Sequence, residues 1–453
     1  MTIKDVTICG AGLVGSLLAI YLGKKGHRIS VYERRPDMRK TTIDGGRSIN
    51  LALSNRGWKA LESVGVGEDI RRMAIPMYRR VMHDREGNLS FQPYGKEGEA
   101  IYSVSRGGLN ARLMELAEDT GHVNIHFDEK CTDVNLDEGE THFENYLSGE
   151  ERVVKSDLVF GTDGAFSAVR AVMQKSDRFN YSQEYIEHGY KELSIPPDSN
   201  GNHQLEREAL HIWPRGNYML IALPNPDGSF TCTLFFPFEG DPGFSKLDTV
   251  DKARAFFRED FADAYKLMPD FDSEWEENPT SSLVIIRCYP WVSDSAKVAL
   301  LGDASHAIVP FYGQGMNSGF EDCTVLDELI NQHSDNWAMI LEEFQKSRKP
   351  DADAIADLAM RNFVEMRDLT GDPDFLLQKK IEKKFHLKYP DKWIPLYSMV
   401  TFTHIRYSRA LKEGKRQDAI MDQVMALPGI HDKWDSGEVE QLMLRLTEES
   451  VTA

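Results

Sequence analysis

The chain has 453 residues, of which 41% are hydrophobic and 28% charged, which is typical of a globular protein with two or three domains. Its net charge is −19, with 72 acidic against 53 basic residues, which argues against a protein that binds nucleic acid or an anionic membrane. Five scattered cysteines without a Cys-x-x-Cys pair indicate neither a disulfide framework nor a metal site, and without a leader peptide or a bilayer-spanning stretch we expect a cytoplasmic protein.

The first elements predict a β-α-β unit that binds a dinucleotide. A strand over 6–9 runs into Gly10-Ala11-Gly12-Leu13-Val14-Gly15, which opens a helix, and a second strand follows over 29–32. The first glycine permits a tight turn, the second lets the backbone approach a pyrophosphate, and the third lets the helix pack on the strand. Glu33 lies 18 residues after Gly15, where a carboxylate can accept hydrogen bonds from an adenosine ribose. This motif alone does not separate NAD from FAD.

The middle of the chain changes in character. Helices are predicted over 55–64 and 107–117, followed by a buried strand over 158–160. From about 180 to 290, strand-like runs and the turn Asn-Pro-Asp-Gly at 225–228 favour a mostly antiparallel sheet. A buried strand over 297–301 follows, a helix begins near Gly315, and the chain is rich in helix formers from about 335 onward.

Two further strands end in aspartates. Asp163 follows the strand over 158–160, and Asp303 follows the strand over 297–301. In open α/β folds, ligands bind at the carboxyl ends of parallel strands. The glycine-rich loop over 310–317 then leads into a helix, whose free N–H groups can hold an anionic ring or a phosphate.

Together, the glycine motif, the Asp163-Gly164 segment with Arg170 downstream and the Gly302-Asp303 segment resemble the single-component FAD-dependent aromatic hydroxylases. Five segments are similar to the members that act on L-kynurenine, and they lie at 46–54, 103–106, 211–215, 302–323 and 395–400. The resemblance covers the chain to about residue 410.

The resemblance implies an α/β fold with three parts. These are a Rossmann-type FAD-binding domain at 1–180 and 290–335, an inserted mostly antiparallel β-sheet substrate domain at 181–289, and a helical C-terminal region at 336–453. It also implies tightly but non-covalently bound FAD, NADPH as a transient co-substrate, and O2. The reduced flavin would form a C4a-hydroperoxide that hydroxylates kynurenine at ring position 3. A monomer or a homodimer is expected.

The resemblance also assigns site residues. Arg80 and Tyr94 would hold the substrate carboxylate, which suits a guanidinium fork and a phenol, and Asn362 and Tyr397 would complete the amino-acid end. The remaining substrate-binding residues would be Leu210, Ile221, Phe235, Pro310, Phe311, Gln314, Glu365 and Met366. The FAD-binding residues would be Gly10, Gly12, Leu13, Val14, Gly15, Glu33, Arg34, Arg47, Ala52, Arg106, Cys131, Asp163, Asp303, Gly315, Met316 and Asn317.

Several alternatives stay open. The chain could hydroxylate another aromatic acid, or it could be a flavin-fold binding protein without redox activity. Taken singly, Arg80 would be read as a surface residue, and Tyr94 and Tyr397 as core or rim aromatics. No second glycine motif locates a site for NADPH.

Overall fold

A five-stranded parallel sheet organises the N-terminal half of the protein. The structure is a computed structural model that describes residues 2–40, 50–369 and 372–449. In spatial order the strands are Val298–Leu300, Leu158–Gly161, Asp5–Cys9, Arg28–Tyr32 and Val123–His126. The central strands are buried on both faces, as parallel strands covered by helices usually are. Because all neighbours run parallel, the loops that begin at Gly10, Glu33, Thr162 and Leu301 leave the same edge of the sheet.

A seven-stranded sheet forms a second layer. In spatial order its strands are Ser281–Tyr289, Asn180–Ile195, Phe230–Pro237, Met219–Pro224, Ala209–Pro214, Arg79–His83 and Leu89–Pro93. All neighbours are antiparallel except Ala209–Pro214 and Arg79–His83, which run parallel. Its last two strands come from residues 79–93, outside the segment 181–289 that the sequence assigned to this sheet.

Alternation along the strands gives the seven-stranded sheet two apolar faces. One face presents Trp213, Leu220 and Phe236, which pack into a core with the helices between residues 250 and 277. The other face presents Ile221 and Phe235, which pack toward the turn at 310–312 and the long helix over 337–364. The face with Ile221 and Phe235 forms one wall of the candidate active site.

Two small antiparallel sheets complete the β structure. One contains Glu151–Lys155, Glu140–Asn145 and Glu129–Asn135. The other contains Asn50–Leu53, Ile101–Ser105 and Ile75–Met77. The strand Ile101–Ser105 of the second sheet leads directly into the helix that begins at Arg106.

Helices cover the sheets and form most of the C-terminal third. The α-helices are Leu13–Lys24, Asn55–Ser63, Gly67–Arg71, Arg106–Glu118, Ala168–Met173, Val250–Asp260, Ala262–Tyr265, Phe271–Glu277, Asp303–His306, Gly315–His333, Trp337–Val364, Pro373–Lys388, Leu396–Thr401, Tyr407–Met425, Ile430–Lys433 and Gly437–Glu449. Short 3₁₀ turns occupy Phe244–Lys246 and Pro310–Tyr312, and a π-helical turn spans Glu365–Leu369. Among the described residues, none of these helices has the length and apolar character needed to cross a bilayer.

The predicted architecture is confirmed: a parallel sheet, an antiparallel sheet and a helical C-terminal region occur in the expected order. The predicted helix over 55–64 is observed at Asn55–Ser63, and the predicted helix over 107–117 at Arg106–Glu118.

Candidate active site

The glycine turn after the first strand has the geometry of a phosphate cradle. Gly10 has a φ of +99°, and a Cβ there would lie 2.8 Å from the carbonyl oxygen of Thr162. A Cβ on Gly15 would lie 2.0 Å from the Gly10 carbonyl oxygen, so the helix can pack only against glycine. A Cβ on Gly12 would meet no protein atom within 4 Å. The turn is therefore closed around Gly10 and Gly15 and open at Gly12, where the second glycine of a dinucleotide motif faces its ligand.

Glu33 directly follows the second parallel strand and is almost wholly buried. One carboxylate oxygen accepts a hydrogen bond from the Ala11 amide at 3.0 Å, and the other accepts from the Arg35 amide at 3.0 Å. These contacts fix the carboxylate against the glycine turn. Arg34, beside it, is exposed.

An arginine links the segments that follow the two strand-end aspartates. Asp163 accepts a hydrogen bond from the Ala168 amide at 2.7 Å through one oxygen, while its other oxygen is buried without a partner in the described part of the chain. Burial raises the pKa of Asp163. Arg170 donates to the carbonyl oxygen of Ala304 at 2.7 Å, which brings the exposed Asp303 to the same edge as Asp163. The unpartnered oxygen of Asp163 fits a ligand that donates a hydrogen bond there.

The start of the helix over 315–333 is tied to a neighbouring strand. The Asn317 side chain accepts from the Ser54 amide at 2.9 Å and donates to the carbonyl oxygens of Ala52 and Gly313, both at 2.8 Å. Its side chain therefore holds the loop together, and contact with a cofactor would fall to the free amides of this helix start. Gly315 begins the helix and Met316 is buried.

Four other predicted FAD contacts lie around this edge. Arg106 is exposed and follows Ser105, which pairs with Asn50 in the small sheet. Leu13 and Val14 begin the first helix. Cys131 is buried in the strand Glu129–Asn135. Arg47 lies outside the described residues.

Arg80 is placed for an acidic ligand, whereas its neighbour Arg79 is not. Arg79 makes a two-pronged ion pair with Glu206 at the surface, with both N···O distances 2.8 Å. The guanidinium carbon of Arg80 lies 4.8 Å from the ring centre of Tyr94 and 4.6 Å from that of Tyr397. Its Nε is buried without a hydrogen-bond partner in the described part of the chain. A buried cation held only by aromatic rings is a receptor for an anion.

Three tyrosines stack beside Arg80. The rings of Tyr94 and Tyr397 lie 5.7 Å apart at an interplanar angle of 16°, and those of Tyr397 and Tyr312 lie 5.4 Å apart at 11°. The Tyr94 hydroxyl is buried without a partner among the described residues. Tyr312 was not among the predicted residues; its position next to Phe311 in the turn was the one signal for it.

The strands of the seven-stranded sheet supply an apolar wall. Leu210 pairs in register with Arg80, so it stands beside the guanidinium. Ile221 packs both with the cluster around Tyr94 and with the cluster around Phe235. The ring of Phe235 lies 4.9 Å from that of Phe311, which in turn stacks on Phe363 at 4.0 Å. Pro310 begins this turn and is half-buried.

The long helix over 337–364 supplies polar groups to the same region. The Asn362 amide donates to the Phe311 carbonyl oxygen at 2.7 Å and lies 3.2 Å from the Met366 sulfur. Glu365 accepts from Arg361 at 2.8 Å. Burial raises the pKa of Tyr312, and Tyr397 and Glu365 raise it further.

Gln314 differs from the other predicted substrate residues. It is 1% exposed, and its side-chain oxygen accepts from the Tyr407 hydroxyl at 2.9 Å. This contact joins the glycine-rich loop to the helix Tyr407–Met425. The Gln314 side chain therefore stabilises the position of the loop.

The two halves of the site share a wall at Ala52. Ala52 packs with Tyr94, Leu210, Ile221 and Tyr397 in one apolar cluster. A Cβ on Gly313 would lie 3.1 Å from the Ala52 Cβ, so the same residue also lines the glycine-rich loop. The dinucleotide edge and the aromatic pocket with its buried cation are therefore adjacent. Such a site can hold an aryl acid beside a bound cofactor.

Comparison with known proteins gives matches over nearly the whole chain. A family profile described as an FAD binding domain matches residues 4–215 and 268–359. The chain is 53% identical to kynurenine 3-monooxygenase of Flavobacterium johnsoniae over 98% of this chain and 99% of that one. It is 52% identical to kynurenine 3-monooxygenase of Christiangramia forsetii over 98% of both chains. A solved structure of 2-methyl-3-hydroxypyridine-5-carboxylic acid oxygenase has a TM-score of 0.67 at 19% identity, covering 82% of this chain and 95% of that one, and so shares the fold.

Proposed function

Because the chain belongs to the kynurenine 3-monooxygenase family of FAD-binding proteins, we propose that it hydroxylates L-kynurenine at ring position 3, with NADPH and O2 as co-substrates. The observation that carries the choice of substrate is Arg80, which lies beside the Tyr94 and Tyr397 rings, has a buried Nε without a hydrogen-bond partner and has no acidic partner among the described residues. Kynurenine has a carboxylate at one end and an aminophenyl ring at the other, which matches a pocket with a cation at one end and an apolar wall.

The residues of the parallel-sheet edge fit FAD. The open space at Gly12 suits a pyrophosphate, Glu33 is held where a ribose donates, and Asp163 has a buried oxygen without a partner in the described chain. Asp303, Arg106 and the helix start at Gly315 would contact the rest of the cofactor. When bound, FAD would accept hydride from NADPH and activate O2 for transfer of one oxygen atom to the substrate.

The substrate would be held by its amino-acid end. The Arg80 guanidinium would bind the carboxylate through a charge-assisted pair, and the unpartnered Tyr94 hydroxyl would donate a further hydrogen bond. Tyr397 and Asn362 would flank this end. Glu365, three residues beyond Asn362, supplies a negative charge that complements the α-ammonium group.

The apolar wall would orient the ring and exclude water. Leu210, Ile221, Phe235 and Phe311 present carbon surface beside the FAD edge. Exclusion of water matters because an activated oxygen species exposed to solvent is lost as H2O2 instead of being transferred. The amino group on the substrate ring makes the neighbouring carbon electron-rich, so no protein base is required to activate it.

The choice of substrate is tested by comparing ligands that differ only at the amino-acid end. NADPH oxidation by the FAD-loaded protein is measured with L-kynurenine and with its analogue that lacks the α-amino group. Strong stimulation by L-kynurenine, and weak stimulation by the analogue, is expected because the analogue lacks the ammonium group that the Asn362 and Glu365 end of the pocket would receive. Equal stimulation by both, or by simple benzoates, would favour a hydroxylase of another aromatic acid.

Three further properties are also proposed: the domain boundaries, the cellular location and the oligomeric state. The FAD-binding domain would comprise 1–180, apart from the strands over 79–93, and 290–335. The substrate domain would comprise 181–289 together with those strands, and the helical region would comprise 336–453. A cytoplasmic location is supported by the five cysteines, which are all unpaired and buried. A monomer or homodimer stays a prediction, which sedimentation analysis would decide.

A further inference from the structure

A buried cluster of ionic side chains lies behind the Gly302–Asp303 turn. Its centre is Asp322, which is fully buried on the helix over 315–333. One carboxylate oxygen of Asp322 accepts from Arg348 Nε at 2.7 Å. The other lies 2.7 Å from His306 Nε2 and accepts from the Gly302 amide at 3.0 Å. The Asp322 carboxylate thus connects the helix over 315–333 to Gly302 and to His306, on either side of Asp303.

The turn needs such support because its backbone conformation is unusual. Gly302 has a φ of +60° and a ψ of −142°, which an L side chain rarely adopts. A Cβ at this position would also lie 2.9 Å from Val14 of the first helix. The amides of Ser305 and His306 donate back to the Gly302 carbonyl oxygen, both at 2.9 Å. Asp322 accepts the Gly302 amide that this conformation points inward.

Other members of the cluster tie helices together away from the turn. Arg348 donates to the carbonyl oxygen of Ser318 at 3.2 Å and pairs with Glu321 at 2.7 Å. Glu321 also pairs with Arg56 on the helix Asn55–Ser63. Among Glu321, Asp322 and Arg348, the described contacts with the Gly302–Asp303 turn are made by Asp322.

Asp322 stays ionised in this setting. Burial would raise its pKa, but the charges and hydrogen bonds of His306 and Arg348 lower the pKa to about 2. A buried anion with three fixed donors is a rigid anchor.

We propose that Asp322 is a positioning residue of the FAD site, which holds the Gly302–Asp303 turn in its strained conformation through the Gly302 amide and His306. This inference rests on the FAD binding described above. It goes further in predicting that the affinity for FAD and the flavin's redox potential depend on a carboxylate that does not itself line the site.

The experiment compares Asp322→Asn with Glu321→Gln. Both variants remove one negative charge from Arg348, but Glu321 makes its ion pairs with Arg56 and Arg348 rather than with the turn. For each protein, the FAD Kd is measured by flavin fluorescence during titration of the apoprotein, together with the flavin midpoint potential and the melting temperature. Substrate is not needed, so the result is independent of the assignment of kynurenine.

Both variants should lower the melting temperature. Only Asp322→Asn should weaken FAD binding, by about 10- to 100-fold, because it loses a charged hydrogen bond. Only Asp322→Asn should also shift the flavin midpoint potential. Wild-type Kd and potential in Asp322→Asn would overturn the proposal, as would equal changes in the two variants. If Asp322→Asn does not fold, His306→Gln decides in the same way: a weaker Kd supports the proposal, and an unchanged Kd overturns it. A wild-type protein that binds no FAD would instead refute the cofactor assignment.

Discussion

Replacing Arg80 by alanine tests how the substrate would be recognised. Arg80 is half-buried beside the stacked rings of Tyr94 and Tyr397 and has no acidic partner among the described residues, so the substrate carboxylate would be its main ionic contact. Loss of a charge-assisted bidentate pair from a buried carboxylate costs about 2–4 kcal/mol, which corresponds to a Kd for kynurenine about 30- to 1000-fold weaker. The FAD content should not change, because Arg80 lies on the seven-stranded sheet and not at the edge of the parallel sheet.

Arg79→Ala is the matched control. It removes the same side chain one residue away, but Arg79 is paired with Glu206 at the surface, so the kynurenine Kd should change less than about threefold. The Kd values are measured by isothermal titration of the FAD-loaded proteins with kynurenine. A wild-type Kd in Arg80→Ala, or a large loss in Arg79→Ala, would show that the carboxylate site is misplaced.

Three further predictions follow from particular contacts. Tyr94→Phe removes a hydroxyl with no partner among the described residues. It should therefore weaken kynurenine binding about fivefold without lowering the melting temperature of the ligand-free protein. A large loss of stability would contradict a role of this hydroxyl in substrate binding. Gly12→Ala should leave the melting temperature of the apoprotein unchanged but weaken FAD binding about tenfold or more. Gly15→Ala should lower the melting temperature and also weaken FAD binding, because its Cβ would lie 2.0 Å from a carbonyl oxygen. The folded-state pKa of Asp322, about 2 against an ordinary 3.8, means that its ionised form stabilises the fold above pH 4 by about 2 kcal/mol. That contribution is lost as the pH falls toward 2. Between pH 5 and pH 3, the free energy of unfolding measured in urea should therefore decrease less for Asp322→Asn than for the wild type. Equal decreases in the two proteins would contradict this prediction.

The elements with a simple periodicity could be predicted from the sequence. The β-α-β unit, the helix at Asn55–Ser63 and the antiparallel strands around the Asn-Pro-Asp-Gly turn each carry a local signal that the tertiary structure respects. The glycine motif was informative because its spacing is specific: a side chain on Gly10 or Gly15 would meet the backbone oxygen of Thr162 or Gly10, whereas Gly12 leaves open space for a ligand.

The parts that could not be predicted depend on contacts between distant segments. The strands over 79–93 join the seven-stranded sheet through a parallel pairing with residues more than a hundred positions away, and no local pattern specifies that partner. The choice between Arg79 and Arg80 depends on Glu206 and Tyr397, which come from other elements. The contact between His306 and Asp322 has no local signal in the sequence, because it forms only when the helix over 315–333 packs behind the turn.

The central claim is tested most directly by the stoichiometry of a single reaction mixture. The FAD-loaded protein is incubated with NADPH, O2 and L-kynurenine, and NADPH consumed, 3-hydroxykynurenine formed and H2O2 released are quantified together. The account predicts nearly one 3-hydroxykynurenine for each NADPH, with little H2O2. NADPH consumption that yields H2O2 without hydroxylated product would contradict it.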